Sequence, residues 1–366
     1  MATNPFKRIT IIGVGLIGGS LGLAIKKRFP SVRIVGVDRK GVLRSALERG
    51  AIDAARTDIA RGVRDADLVI LATPLSVILK SLPILARHCK PGTVVSDVGS
   101  VKLEVVRRAA KYFPHGNFVG GHPMAGVELS GIEAAHPLLF ENAIYVLAPT
   151  QSNPRALVRR LGNFLGELGA RVVLLDPQTH DAVASAVSHL PQLIAVALIH
   201  VAGRRHRIAR KHLRLAAGGF RDLTRVASSR PEIWKDILSG NREEIRRSLR
   251  LLIRELDLYS RLLKVNSSPR LISQFTQARR MRSRIPKTMK GFLHPLAEMY
   301  VFVKDKPGML ARMAAALAKE KINIKDIELM KVREGSGGTF RLAFESTQIL
   351  RHAERILKRA GFEIGV

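Results

Sequence analysis

Two groups of residues have the types and spacing that chemistry requires. The run Gly13-Val14-Gly15-Leu16-Ile17-Gly18 has the GxGxxG spacing of a phosphate-cradling turn. In such a turn the first glycine permits a tight reversal and the second lets backbone amides approach a pyrophosphate. The third lets the next helix lie close on a strand, its N-terminus favouring negative charge. Asp38 stands twenty residues after Gly18, where a carboxylate accepts hydrogen bonds from both ribose hydroxyls and repels a 2′-phosphate. That combination selects NAD over NADP. Arg39 and Lys40 pull the other way, because a cation beside the ribose accommodates the extra phosphate. The candidate cofactor contacts are Gly13, Gly15, Leu16, Ile17, Gly18, Asp38 and Thr73.

The second group handles protons. His122, in Gly120-Gly121-His122-Pro123, can abstract a proton at neutral pH if its pKa is ordinary. In this frame alone it reads equally as a satisfied structural histidine. Ser100, taken alone, reads as readily as the N-cap of a following helix. The one cysteine, Cys89, excludes a disulfide framework within the chain and any cysteine-based metal site, and suits a reducing, cytoplasmic setting.

These residues need elements to hold them. Short β-branched or apolar runs at Ile9–Ile12, Arg33–Val37, Leu68–Ala72, Val94–Ser96, Phe118–Gly120 and Ala143–Leu147 alternate with helical stretches. A helix and the strand Arg171–Leu175 follow, completing an α/β, doubly wound, Rossmann-type parallel sheet over residues 1–176. His122 then ends a strand, facing the crevice where such sheets bind ligands. Residues 177–285 show helical spacing only, as in Ile245, Leu249, Leu252 and Leu256. Residues 286–297 read as a linker, and 298–366 as a small βαββαβ unit, with strands at Glu298–Val303, Ile322–Met330, Thr339–Glu345 and Glu363–Val366.

At 366 residues and 46% hydrophobic content the chain can fill two or three cores. The apolar stretch Ile9–Ile25 contains five glycines and lacks a cleavage site, so it reads as strand, turn and helix rather than a secretory signal. The run Leu193–Ala202 is broken by His200 and is too short for a bilayer, so no membrane is expected. A net charge of +31 would attract nucleic acid, anionic membranes or acidic small molecules alike. The excess is spread along the chain but thickens at 204–212 and 279–284, which suits a solvated basic surface, with anion steering second. A basic nucleic-acid-binding regulator would need a zinc finger or aromatic stacking platforms, and aromatics are only 5%. No specific nucleic acid is expected.

Four ordered segments then carry a resemblance: Ser96-Asp97-Val98-Gly99-Ser100-Val101-Lys102, Gly120 to Glu128, Ser188-His189-Leu190-Pro191, and Gly218 to Ala227 followed by Pro231 and Trp234. Together they resemble the prephenate and arogenate dehydrogenases over residues 8 to 285. The resemblance implies an NAD-dependent oxidative decarboxylation of prephenate to 4-hydroxyphenylpyruvate in tyrosine biosynthesis, and a helical domain that forms homodimers or larger homo-oligomers. His122 matches the catalytic histidine and Ser100 the serine that hydrogen-bonds the reacting hydroxyl. Arg225 matches the arginine that grips the ring carboxylate, where a planar guanidinium binds in bidentate fashion. Ser188, Glu128, Gln192 and Trp234 are the further substrate-side candidates; Trp234 and Asp222 read equally as packing residues. No metal is required, because the ketone formed at C4 is itself the electron sink for the departing carbon dioxide.

Many relatives carry His-Leu-Pro-His, whereas Gln192 stands at the last position here. Gln192 can hydrogen-bond a keto acid but offers no carboxylate to an ammonium, which favours prephenate over arogenate. An arogenate or dual cyclohexadienyl dehydrogenase is the nearest alternative. A β-hydroxyacid-type dehydrogenase would need a catalytic lysine, and no such motif accompanies Ser188-His189.

The segment Lys304-Asp305-Lys306-Pro307-Gly308-Met309-Leu310, with Ile322-Asn323-Ile324, resembles the ACT domains that sense amino acids. The resemblance implies feedback control, by tyrosine ahead of phenylalanine, through Asp305, Gly308, Met309, Leu310 and Asn323. A purely structural oligomerisation domain is the alternative.

Overall fold

The computed structural model describes residues 5–125, 129–205, 211, 213–265, 267–284, 296–333 and 337–365. Two compact units, Met1–Leu271 and Ile272–Val366, divide the chain.

The first unit holds an eight-stranded sheet. Its strands are β1 (Arg8–Ile12), β2 (Arg33–Val37), β3 (Ala54–Arg56), β4 (Leu68–Leu71), β5 (Val94–Asp97), β6 (Phe118–Pro123), β7 (Ile144–Ala148) and β8 (Arg171–Leu174), in the order β3-β2-β1-β4-β5-β6-β7-β8. Helices α1 (Leu16–Arg28), α2 (Lys40–Glu48), α3 (Ile59–Val63), α4 (Leu75–His88), α5 (Leu103–Ala110) and α6 (Arg155–Glu167) connect them. Strand β4, Leu-Val-Ile-Leu, is buried throughout because helices cover both faces of the sheet. Leu68 and Ile70 enter one core with Leu21 of α1, while Val69 and Leu71 enter the other with Leu82 of α4. That alternation is the period of two that a strand imposes.

The sheet departs from the all-parallel expectation at one place. Strand β7 runs antiparallel to β6, pairing Gly121 with Leu147 and His122 with Val146. Between them the described residues hold only a three-residue 3-10 turn, Ile132–Ala134, with no helix to carry the chain back for a parallel strand. Strand β3, Ala-Ala-Arg, was not expected, since it is short and lacks β-branched residues.

Helix α7 (Pro177–Ala184), a π-turn (Ser185–His189), α8 (Leu190–His200) and a second π-turn (Val201–Arg205) follow without a break. Pro177–Arg204 is a 28-residue helical stretch containing an 18-residue window of mean hydropathy 1.8, long and apolar enough by length and composition to cross a membrane. It also carries His180, Asp181 and His189, all buried. Helices α9 (Gly218–Thr224), α10 (Pro231–Gly240), α11 (Arg242–Lys264) and α12 (Ser268–Ser283) complete the helical part.

The second unit is a four-stranded antiparallel sheet, β10-β11-β9-β12, with β9 (Ala297–Val303), β10 (Asp326–Arg333), β11 (Gly337–Phe344) and β12 (Glu363–Gly365). Helices α13 (Met309–Lys319) and α14 (Thr347–Arg359) supply Met313, Leu317, Ala353 and Leu357 to a core with Met299, Val301 and Val303. Strand β10 begins at Asp326 rather than Ile322; of the residues expected as linker, 286–297, those at 286–295 lie outside the described ones and Ala297 already begins β9.

Candidate active site

Strands β2, β1, β4, β5 and β6 are neighbours and parallel, so their C-terminal ends share one edge of the sheet. Asp38, the glycine turn, Thr73, Ser100 and His122 all lie at that edge, the crevice where doubly wound sheets bind ligands.

The three glycines of the turn answer to different constraints. Gly13 has φ +90°, and a Cβ there would sit 2.4 Å from the Ala72 carbonyl oxygen. A Cβ on Gly18 would lie 1.9 Å from the Gly13 carbonyl oxygen, so that glycine lets α1 pack. A Cβ on Gly15 would meet nothing within 4 Å. Packing therefore does not require Gly15, and the space it leaves is open for a ligand. Helix α1 starts immediately afterwards with no side-chain cap and no acidic residue in its first turn, leaving amides for an anion. Thr73 Oγ1 is buried with no partner among the described residues. Asp38 is held at the end of β2, its Oδ2 accepting from Val14 N at 2.8 Å and its Oδ1 from Arg39 N at 2.7 Å. The Arg39 side chain is 91% exposed, with its Nε 4.0 Å from Asp38 Oδ1. An open cradle, uncapped amides, an orphaned hydroxyl and a fixed carboxylate are the donor and acceptor set that fits a dinucleotide.

His122 lies near the end of β6, 8% exposed. Its Nδ1 is 2.8 Å from Nε2 of His180, whose Nδ1 is 2.7 Å from Asp181 Oδ1. Asp181 also accepts from Lys102 N at 2.8 Å and Leu103 N at 3.0 Å, which caps α5. This displaces the N-cap reading of Ser100: the cap position is Lys102, served by an aspartate from α7. Ser100 is left half-buried in the loop between β5 and α5.

A buried ion pair fixes the backbone next to His122. Lys102 Nζ contacts Asp97 and donates to Gly121 O at 2.7 Å, while Asp97 Oδ1 accepts from Gly121 N at 3.1 Å. Both polar groups of Gly121 are thereby satisfied inside the protein. Burial lowers the Lys102 pKa, and the Asp97 and Asp181 charges act against that lowering. Burial, then the neighbouring His180, Lys102 and His189, hold His122 well below its ordinary 6.5. His189 is pushed down to about 4, chiefly by burial. Both rings are therefore neutral near pH 7.

Two of the substrate-side candidates, Gln192 and Trp234, meet at Ser229. Gln192 Nε2 donates to Ser229 Oγ at 2.9 Å and Trp234 Nε1 donates to the same oxygen at 2.8 Å. The Trp234 ring meets His189 edge-on at 6.2 Å, and His189 Nδ1 is 3.3 Å from Asn241 Nδ2, which donates to Asp181 O at 2.7 Å. Ser188 is half-buried on the π-turn, a helical irregularity common at functional sites. Arg225 is exposed where α9 gives way to the 3-10 turn Arg225–Ser228, which packs on α8. Glu128 lies outside the described residues.

Sequence reasoning missed Asp97, Lys102, His180, Asp181, Ser229 and Asn241. An Asp-x4-Lys pair flanking the Gly-Ser loop is a signal it could have used, since Asp97 ends the strand Val-Val-Ser-Asp and Lys102 closes the loop after it. Nothing local distinguishes His180-Asp181 from an ordinary first-turn pair.

In the second unit Gly308 has φ +83° and caps α13, with Met309 half-buried and Asp305, Leu310 and Asn323 exposed. Asp305, Gly308, Met309 and Leu310 lie at the N-terminal turn of α13, whereas Asn323 follows its C-terminal end.

Comparison with known proteins gives three family matches in order: the nucleotide-binding domain of prephenate dehydrogenase at residues 21–174, its dimerization domain at 176–277, and an ACT domain at 298–362. The chain is 38% identical to a prephenate dehydrogenase of Bacillus subtilis over 361 residues, covering 97% of each chain. It is 33% identical to a cyclohexadienyl dehydrogenase of Zymomonas mobilis, covering 76% of this chain and 95% of that one. Among solved structures, prephenate dehydrogenase from A. aeolicus in complex with hydroxyphenyl propionate and NAD+ superposes with a TM-score of 0.72 at 27% identity, covering 78% of this chain and 99% of that one.

Proposed function

Because the chain belongs to the prephenate dehydrogenase family, we propose that it converts prephenate to 4-hydroxyphenylpyruvate and carbon dioxide with NAD as oxidant. The glycine turn, Leu16, Ile17, Asp38 and Thr73 would hold NAD, which when bound would supply the hydride acceptor. His122 takes the proton of the C4 hydroxyl, and Ser100 hydrogen-bonds that hydroxyl. Arg225 grips the ring carboxylate in bidentate fashion until it leaves as carbon dioxide. Gln192 meets the pyruvyl side chain, with Ser188, Glu128 and Trp234 bounding the pocket. Aromatisation drives the reaction, so the protein's task is positioning and proton removal.

The observation that carries this reading is a buried histidine kept neutral at the strand edge that also bears the glycine turn. Appearance of reduced nicotinamide with prephenate, lost in His122→Asn with NAD binding intact, is the test. Gln192, which donates to Ser229 and carries no negative charge, supports prephenate over arogenate; the cyclohexadienyl relative makes the dual enzyme the alternative.

Exposed apolar residues in the helical part, Val187, Leu223, Ile233 and Leu256 among them, support assembly into a homodimer or larger homo-oligomer, in a cytoplasmic enzyme. The ACT domain supports feedback by tyrosine at Asp305, Gly308, Met309, Leu310 and Asn323. If tyrosine changes neither turnover nor melting temperature, the regulatory part fails.

A further inference from the structure

We propose that His180 and Asp181 are positioning residues that set the tautomer of His122, leaving its Nε2 as a bare proton acceptor. The inference rests on His122 being the base of the reaction proposed above.

Hydrogen-bond bookkeeping along the chain of contacts carries it. Asp181 accepts two backbone amides, Lys102 N and Leu103 N, as an ionised carboxylate does. Facing such an acceptor at 2.7 Å, His180 Nδ1 carries the proton. With one proton on the His180 ring, and that proton on Nδ1, His180 Nε2 is an acceptor. The 2.8 Å contact to His122 Nδ1 then requires His122 to donate from Nδ1. Its single proton is committed there, and Nε2 keeps its lone pair; no described residue bonds to that nitrogen.

The polarity of the chain has a consequence for the reaction. When Nε2 takes the proton of a hydroxyl, the positive charge created on His122 is met by an acceptor, His180 Nε2, backed by the Asp181 carboxylate. The same aspartate caps α5, so the loop bearing Ser100 and the ring of His122 are referred to a common group on α7. An acidic group supporting a histidine through its second nitrogen follows the logic of a catalytic triad, with a histidine as intermediary.

The test uses the full-length protein labelled with 15N-histidine, in which His122→Asn identifies the His122 signals. The proposal predicts a protonated, pyrrole-type Nδ1 and a pyridine-type Nε2 at pH 7. His180→Leu removes the acceptor and should mix the tautomers and lower kcat for prephenate about 100-fold, with KM and NAD affinity nearly unchanged. His180→Gln restores an acceptor and should recover part of the loss. A pyrrole-type Nε2 on His122 in the wild-type protein overturns the proposal, even if prephenate is turned over. The expected tautomer with no turnover of prephenate would leave the relay standing and remove the proposed function instead. If His180→Leu does not fold, the wild-type nitrogen shifts still decide the matter.

Discussion

His122 and Arg225 sit in opposite kinds of environment. The histidine is 8% exposed, hydrogen-bonded to a second buried histidine, and backed by an ion pair that satisfies the preceding residue. The arginine stands exposed on a turn of a helical region that also exposes Leu223, Ile233 and Leu256. The contrast separates two tasks. A base must be fixed and kept neutral before substrate arrives, which one chain achieves by burial. A guanidinium keeps its charge in any surroundings, so exposure does not disarm it.

Four measurements test this division of tasks and the fold that supports it. His122→Asn should lower kcat by about 1000-fold, within the range of general-base catalysis, with the NAD dissociation constant unchanged by titration calorimetry. Ordinary turnover would move the base elsewhere. Arg225→Lys keeps charge but loses the fork, so the KM for prephenate should rise about 10- to 100-fold with kcat little altered. A fall in kcat alone would mean Arg225 acts on the transition state instead.

The glycine turn divides in a similar way. Gly15→Ala should weaken NAD about tenfold, on the order of 1.4 kcal/mol, without moving Tm. Gly18→Ala forces a Cβ against backbone and should cost about 2 kcal/mol of stability, read from a urea midpoint. Equal loss of stability in both variants would remove the case for an open cradle.

A further effect is electrostatic. His122 and His189 have folded pKa values below their ordinary 6.5, so below that pH the unfolded chain binds more protons than the folded one. Their contribution is fully present above pH 6.5 and is lost on acidification toward pH 4, by up to about 1.4 kcal/mol per pH unit for each ring. His189 faces Asp181, His180, Asn241 and Trp234, of which Asp181 opposes the shift. Urea midpoints from pH 7 to pH 5 should fall, and His189→Asn should flatten the slope.

The nucleotide end of the site was legible because its demands are local. Gly13, Gly15 and Gly18 announce a turn by spacing, and Asp38 lies at a fixed distance on the next strand. The parallel sheet was legible from apolar runs such as Leu68–Leu71, but the reversal at β7 was not, because strand direction depends on the connection and not on the strand's own residues. The proton-handling centre was half legible. His122 could be chosen from its motif, yet its partners come from α7, fifty-eight residues later, and adjacent His180 and Asp181 carry no periodic or spacing signal. The same holds for Ser229, which joins Gln192 and Trp234 only after three helical segments pack. Long-range pairing of polar groups is decided by the fold, and a one-dimensional pattern does not encode it.

The central claim is that a buried, neutral His122 removes the C4 hydroxyl proton while NAD is reduced. Its most direct measurement is the initial rate of NAD reduction by wild-type protein and His122→Asn, with prephenate and with arogenate at equal concentration. Rapid reduction with prephenate, slow reduction with arogenate, and near loss of both in the variant is the predicted result. An arogenate preference, or a variant as fast as wild type, would contradict it.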